Sequence, residues 1–222
     1  MSGTARETLR AVLFDMDGVI FDSERALMAC WQELGERWGL GDMTEVYYDC
    51  VGITTEATGE VLKRAYGEDF DWQRFRREST ALYLERYGDG GLPLKPGAEE
   101  LLRALREQGL SLALASSTQG ELVRRFLKNA GLLDCFSVLV TGDMVRRSKP
   151  DPEIFLRACE GLGVTPEQAL VIEDSFNGVR AAYAGGIRVL MVPDLLAPDG
   201  EMRQKAEAIL PTLFEVREYL LK

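Results

Sequence analysis

Five short apolar runs constrain this chain more than any other feature: 11–15 (AVLFD), 111–116 (SLALAS), 136–140 (FSVLV), 169–174 (ALVIED) and 187–192 (IRVLMV). Each is continuously apolar, as expected of parallel strands covered on both faces. Helical patterns separate the later runs. In GAEELLRALREQG, Leu101, Leu102 and Leu105 share one face and Gly109 closes the pattern; Leu122, Phe126, Leu127 and Ala130 repeat it in GELVRRFLKNAG. Asp151-Pro152-Glu153 and Thr165-Pro166-Glu167 each combine an N-cap residue, a proline at the first helical position and an early acid, which predicts helix starts. FNGVRAAYAGG predicts a short helix ended by Gly185-Gly186. Such alternation implies an α/β fold with a mostly parallel sheet.

About 95 residues lie between the first run and the second, far too many for one crossover helix. Residues 24–39, 43–51, 55–66 and 71–88 carry helical spacing without a convincing strand, and the Gly- and Pro-rich stretch 88–97 reads as a hinge. The expected architecture is a Rossmann-like parallel-sheet core, residues 1–21 and 92–222, with an all-helical cap, residues 22–91, inserted after the first strand. Trp31, Trp38 and Trp72 all fall in the insert and are expected to form its small core. The tail AILPTLFEVREYLLK predicts a closing helix with Leu213, Val216 and Leu220 inward.

Composition narrows the function. At 46% hydrophobic and 28% charged, the 222-residue chain has an ordinary globular balance, and no apolar stretch approaches the roughly 20 residues of a membrane helix. MSGTARETLR lacks the apolar region of a signal peptide, and the scattered Cys30, Cys50, Cys135 and Cys159 form no metal-type pair. A cytoplasmic location with reduced cysteines is expected. The net charge of −10 argues against nucleic acid or an anionic membrane as a partner. It also requires that any anionic substrate be attracted locally. The chain contains no histidine, so catalysis must use carboxylates, hydroxyls, lysine, arginine or a hard cation.

In doubly wound sheets ligands bind beyond the carboxyl ends of the strands. The predicted strands end in Asp15 and Asp17, in Ser116, Ser117 and Thr118, and in Glu173 and Asp174; Arg146, Arg147, Ser148 and Lys149 follow the third. A metal site, hydroxyl donors and a cation on one sheet edge fit phosphoryl transfer. Asp15 and Asp17 point the same way on an extended segment, so both ionise only with a cation between them or a shared proton. Mg²⁺ suits such an all-oxygen site, and Asp174 would complete it. Asp15 opens like a calcium loop, but Val19, Ile20 and Ala26 stand where that loop needs Asp or Asn, Gly and Glu. Asp22 or Ser23 is expected to cap the first insert helix, Ser116–Thr118 could cap the helix after the second strand, and Asp174 or Ser175 the one after the fourth.

Taken together, FDMDGVIFDSE, LALASST, SKPDP and VIEDSFNG resemble, in order, the four motifs of the haloacid dehalogenase superfamily of phosphohydrolases. The insert resembles the cap of the subgroup containing β-phosphoglucomutase and phosphoglycolate phosphatase. The resemblance implies Asp15 as the nucleophile forming an aspartyl-phosphate and Asp17 as general acid and then base. It implies Mg²⁺ held by the Asp17 carbonyl and the Asp15 and Asp174 carboxylates with Glu173 nearby, a Ser116 hydrogen bond to phosphate, and Lys149 holding Asp15 and the phosphate. Gly18 and Ser117 are taken with the phosphate-binding set. Thr54 and Thr55, in the cap loop VGITTEA, are taken as substrate-facing, although they could simply start a helix.

The second acid, Asp17, separates the chain from dehalogenases and phosphonate hydrolases. The leading expectation is a Mg²⁺-dependent phosphatase, working as a monomer on a small phosphorylated metabolite such as a sugar phosphate. The alternatives are a phosphomutase of the β-phosphoglucomutase type, disfavoured by Leu27 where that enzyme carries a histidine, and a receiver-like phospho-acceptor domain.

Overall fold

The first apolar run becomes β1 (Ala11–Phe14), with every residue buried. In the computed structural model, which describes residues 9–53 and 55–222, β1 lies inside a six-stranded parallel sheet. The other strands are β2 (Ser111–Ser116), β3 (Val138–Thr141), β4 (Ala169–Glu173), β5 (Arg188–Met191) and β6 (Ala208–Ile209), in the order β3-β2-β1-β4-β5-β6. The chain builds outward from β1 on one side, then returns to build on the other. Its strand order therefore reverses at β1, the position where such sheets leave a crevice beyond their carboxyl ends. Phe14 pairs with Leu114 and Ile172, and the Asp15 amide donates to the Ile172 carbonyl at 3.0 Å, so Asp15 emerges beside Glu173.

Between β1 and β2 stand α1 (Ser23–Trp38), α2 (Thr44–Cys50), α3 (Thr55–Tyr66) and α4 (Trp72–Tyr87), which form the cap, and then α5 (Ala98–Glu107). The cap has its own apolar cluster of Trp31, Leu34, Met43, Tyr47, Leu62 and Phe75, with Trp38 and Trp72 packed against it. Phe75 is fully buried between the edges of Trp31 and Trp38, with ring centroids 5.2 and 5.5 Å away. The outgoing and returning chains run side by side: Asp22 N donates to Pro93 O at 2.8 Å and Lys95 N to Ile20 O at 2.9 Å. Asp194, just beyond β5, accepts from Lys95 Nζ at 2.7 Å and from Arg25, while its neighbour Leu195 packs against the cap cluster.

The remaining helices are α6 (Gly120–Asn129), α7 (Glu153–Leu162), α8 (Phe176–Ala184), α9 (Gly200–Lys205) and α10 (Leu213–Leu221). Alternate residues of each strand face opposite layers. Val12, Phe14, Leu114 and Ile172 pack with the apolar faces of α5, α6 and α10, including Leu213, Val216 and Leu220. Leu13, Ala113, Val171 and Val189 pack with α7 and α8.

Several local expectations change. β3 begins at Val138 rather than residue 136, and the two-residue β6 and the short α9 were not expected from pattern. Both are too short to carry a period. Thr165-Pro166-Glu167 opens only the 3₁₀ turn Pro166–Gln168 ahead of β4, with Thr165 and Gln168 forming a capping box. Asp22 occupies the N-cap position of α1, but its carboxylate bonds Arg25 at 2.8 Å and makes no cap; the Ser23 hydroxyl is buried without a partner. Gln119 is at the N-cap of α6, and the Gly120 amide donates instead to Asp143 at 2.8 Å. No helix among the described residues is long and apolar enough to cross a membrane.

Because all three tryptophans belong to the cap cluster, their fluorescence reports cap packing directly. Phe75→Ala is expected to cost the cap about 3–5 kcal/mol, read as a lowered urea midpoint of the tryptophan signal.

Candidate active site

β1 ends in an apolar layer, so a carboxylate immediately after it is drawn out of water. Asp15 is 7% exposed, and burial pushes its carboxyl up to about 8, against the pull of Lys149 and with added repulsion from Glu173 and Asp17. The Lys149 ammonium sits between two acids, 2.5 Å from Asp15 Oδ1 and 2.6 Å from Glu173 Oε1. It also donates to the Ala115 carbonyl at 3.2 Å and lies 4.8 Å from the centre of the Phe155 ring. Burial works against its charge, but Asp15 and Glu173 outweigh that and hold it above the usual lysine range.

Glu173 is fully buried and both its oxygens are engaged: Oε1 by Lys149, Oε2 by the Ser175 amide at 2.7 Å and hydroxyl at 2.9 Å. Ser175, in turn, is the residue that caps α8, accepting from Gly178 N at 3.0 Å. Asp174 therefore does not cap. Its carboxyl is held well above the usual range by burial and by Glu173 and Asp15.

Asp15, Glu173 and Asp174 each offer an oxygen within 4.8 Å of the others, a group that could hold a metal ion. Three carboxylates against one ammonium leave an excess of buried negative charge, which an all-oxygen donor set answers with a hard cation. Two glycines make the cluster possible. A Cβ on Gly18, whose φ is +77°, would fall 2.1 Å from Asp174 Oδ2, and one on Gly178 would fall 1.7 Å from Glu173 Oε1.

The Asp17 side chain turns away from this triad toward β2, where its Oδ2 accepts from Thr118 Oγ1 at 2.9 Å and from Ser116 Oγ at 3.4 Å. Ser116 is fully buried and also accepts from Thr118 N at 3.0 Å, while Ser117 lines the cleft. The cleft, about 480 Å³, lies between the sheet edge and the cap and is walled by Asp15, Asp17, Lys149, Asp174, Gly52 and Leu195 among others. Asn177 Nδ2 reaches across to the Gly52 carbonyl at 3.2 Å.

The structure thus brings Asp15, Asp17, Gly18, Ser116, Ser117, Lys149, Glu173 and Asp174 to one sheet edge. Thr55 is apart from them, on a second cavity within the cap, and Thr54 lies outside the described residues. Sequence reasoning did not single out Thr118 as Asp17's partner or Asn177 as a contact to the cap. The third hydroxyl of Ser116-Ser117-Thr118 was a signal for the first; nothing pointed to the second.

Residues 12–192 match the haloacid dehalogenase-like hydrolases, and the chain belongs to that family. Within it, the chain falls among the helical-capped phosphatases of the β-phosphoglucomutase and phosphoglycolate phosphatase kind. It is 34% identical over 184 residues to the phosphorylated carbohydrates phosphatase of Thermotoga maritima, covering 81% of this chain and 82% of that one. It is 33% identical over 215 residues to the validoxylamine A 7'-phosphate phosphatase of Streptomyces hygroscopicus subsp. limoneus, covering 94% and 96%. A solved structure of a haloacid dehalogenase family hydrolase from Deinococcus radiodurans R1, with bound phosphate and sodium, is similar with a TM-score of 0.81 at 30% identity, covering 96% of this chain and 95% of that chain.

The close approach at Gly18 yields a stability prediction. Gly18→Ala places a side chain at positive φ and against Asp174, at a cost of at least ~1–2 kcal/mol for the backbone alone. A thermal melt is expected to drop by about 2–8 °C.

Proposed function

We propose that this protein is a Mg²⁺-dependent phosphatase that hydrolyses a small phosphorylated metabolite, a sugar phosphate by preference, through an aspartyl-phosphate on Asp15. The observation that carries the reading is the placement of Lys149 between Asp15 and Glu173, with Asp174 alongside, at the mouth of β1. A buried ammonium there can hold the attacking carboxylate in place and attract a phosphoryl group into an otherwise acidic protein.

In this scheme the free Asp15 oxygen attacks phosphorus and the bond to the leaving oxygen breaks. Asp17 donates a proton to that oxygen, so the alcohol departs neutral. Asp17, now a carboxylate, then takes a proton from water as the water oxygen attacks phosphorus, releasing phosphate and restoring Asp15. Thr118 fixes the Asp17 carboxylate through both steps. Ser116, Ser117 and Lys149 hold the phosphoryl oxygens, and Gly18 lets the backbone approach them. Asp15, Asp174 and the Asp17 carbonyl would hold Mg²⁺, with Glu173 beside them steadying Lys149; when bound, the ion neutralises charge on the phosphoryl oxygens.

The relatives named for phosphorylated carbohydrates and for a 7'-phosphate support the substrate class. Hydrolysis is preferred to phosphate migration because Leu27, packed against the cap cluster, stands where a mutase of the β-phosphoglucomutase type carries a histidine, and the chain has no histidine. A receiver-like role lacks support, since four cap helices stand between β1 and β2. With the lid supplied by the same chain, a monomer suffices.

Asp15→Asn is expected to lower turnover of p-nitrophenyl phosphate by at least about a thousandfold with the fold intact by circular dichroism; retained turnover would remove the nucleophile assignment. EDTA is expected to abolish the wild-type activity and added Mg²⁺ to restore it, whereas undiminished activity in EDTA would show that the acidic triad serves no metal.

A further inference from the structure

We infer that Asp194, on the loop after β5, is a positioning residue: through Arg25 it seats the cap over the cleft, and its contact is made and released as the cap works. This rests on the phosphatase reading and adds to it a residue outside the charged cluster at the mouth of β1.

The two crossings between core and cap do not need Asp194. Asp22 N donates to Pro93 O and Lys95 N to Ile20 O, and Phe21 pairs with Leu94 in a short antiparallel bridge. Phe21 is also buried against Phe126, with ring centroids 6.2 Å apart. Two adjacent strands fix where the cap is attached but not how it tilts. Asp194 supplies a third, non-covalent attachment. Its side chain is 1% exposed, and a single oxygen, Oδ1, accepts from Lys95 Nζ at 2.7 Å and from Arg25 of α1. The loop that carries it is anchored in the core at both ends: Val192 N donates to Glu173 O at 2.7 Å, and Asp199 caps α9 through Met202 N at 2.8 Å. Between these anchors Leu195 and Leu196 wall the cleft, and Leu195 packs against the cap cluster. A loop rooted on the backbone of Glu173 thus forms one wall of the cleft, and Arg25 draws the cap onto it.

The junction is under-satisfied in a way that suits a reversible contact. Among the described residues, the buried side-chain polar atoms without a hydrogen-bond partner are Asp194 Oδ2 and Ser23 Oγ, and both belong to it. An orphaned buried oxygen is costly, and a purely structural ion pair gains by engaging both. The two cations differ in how firmly they are held. Lys95 is 15% exposed and stays with the crossing, whereas Arg25 is 46% exposed and returns to water at little cost. Releasing Arg25 frees the cap to lift from Leu195 and Leu196 without unfolding, while Lys95 keeps the buried carboxylate paired. A substrate that needs the seated cap then binds with an apparent affinity reduced by the fraction of molecules seated.

The test measures kcat, KM and acrylamide quenching of the cap tryptophans in the wild type, Asp194→Asn and Arg25→Met. The substrate is the best of a panel of hexose and pentose monophosphates, with Mg²⁺ present. Arg25→Met keeps an apolar stem and leaves Asp194 paired with Lys95, so it removes the seat without stranding a buried charge. Both variants are expected to raise KM by roughly tenfold, the worth of a charged hydrogen bond. Turnover is expected to stay within about twofold of the wild type, because saturating substrate reseats the cap. Trp31 lines the cavity between cap and cleft, so quenching is expected to rise in both variants. The double variant is expected to raise KM little beyond either single one, since both remove the same contact. A fall in kcat at unchanged KM would overturn the inference, reporting fewer folded molecules or a part in the chemistry. Wild-type KM and quenching in Arg25→Met would overturn it as well, leaving Asp194 as a staple of the crossing. If the wild type hydrolyses no member of the panel, the phosphatase reading fails, yet quenching still decides the seat: a rise in both variants supports it and no change in either overturns it.

Discussion

The buried ammonium of Lys149 is the interaction on which the site depends. Asp15 and Glu173 emerge from neighbouring parallel strands, too close together and too far from water to remain charged without it. One cation between two acids leaves Asp174 unbalanced, so the same cluster that needs Lys149 also creates a demand for a metal ion. Structure and chemistry coincide here: the excess charge that makes the edge costly for folding is what makes it competent to handle a phosphoryl group. Glu173 belongs to the supporting side of this arrangement, with one oxygen on Lys149 and the other on Ser175, the residue that caps α8.

The cap is tied to this edge at separate points. Asp194 draws Lys95 of the returning chain and Arg25 of α1 to the same core loop, and Leu195 beside it enters the cap's apolar cluster. Asn177, two residues beyond the residue that caps α8, reaches the Gly52 carbonyl. The helix that receives Glu173's support therefore also touches the cap loop. Closing the cleft removes water from a cluster of charges, which strengthens every interaction within it.

Much of this was legible in the sequence because the signals were of two strong kinds. Short, continuous apolar runs bounded by turns marked five of the six strands, and acids directly after such runs marked Asp15, Asp17, Glu173 and Asp174 as misplaced unless functional. The four cap helices followed from their spacing, and the tryptophans from their shared location. What was illegible depended on pairings across the fold. Asp22 looked like a cap but is claimed by Arg25, three residues on, near a hinge lysine distant in sequence. Glu24 reads in the sequence as a first-turn acid that could face the substrate; the partner that fixes its carboxylate, Tyr47, lies 23 residues away on another helix. β6 and α9 are held by their neighbours rather than by a pattern of their own.

The central claim, that Asp15 carries the phosphoryl group, can be tested by trapping. The wild-type enzyme is mixed with Mg²⁺ and a turned-over phosphate ester, quenched in acid within the turnover time, reduced with borohydride and mapped by peptide mass spectrometry. An acyl phosphate is reduced to the alcohol, and the account predicts that modification at position 15 alone. Reduction at Asp17 instead, or turnover with no reducible intermediate at any acid, would contradict it.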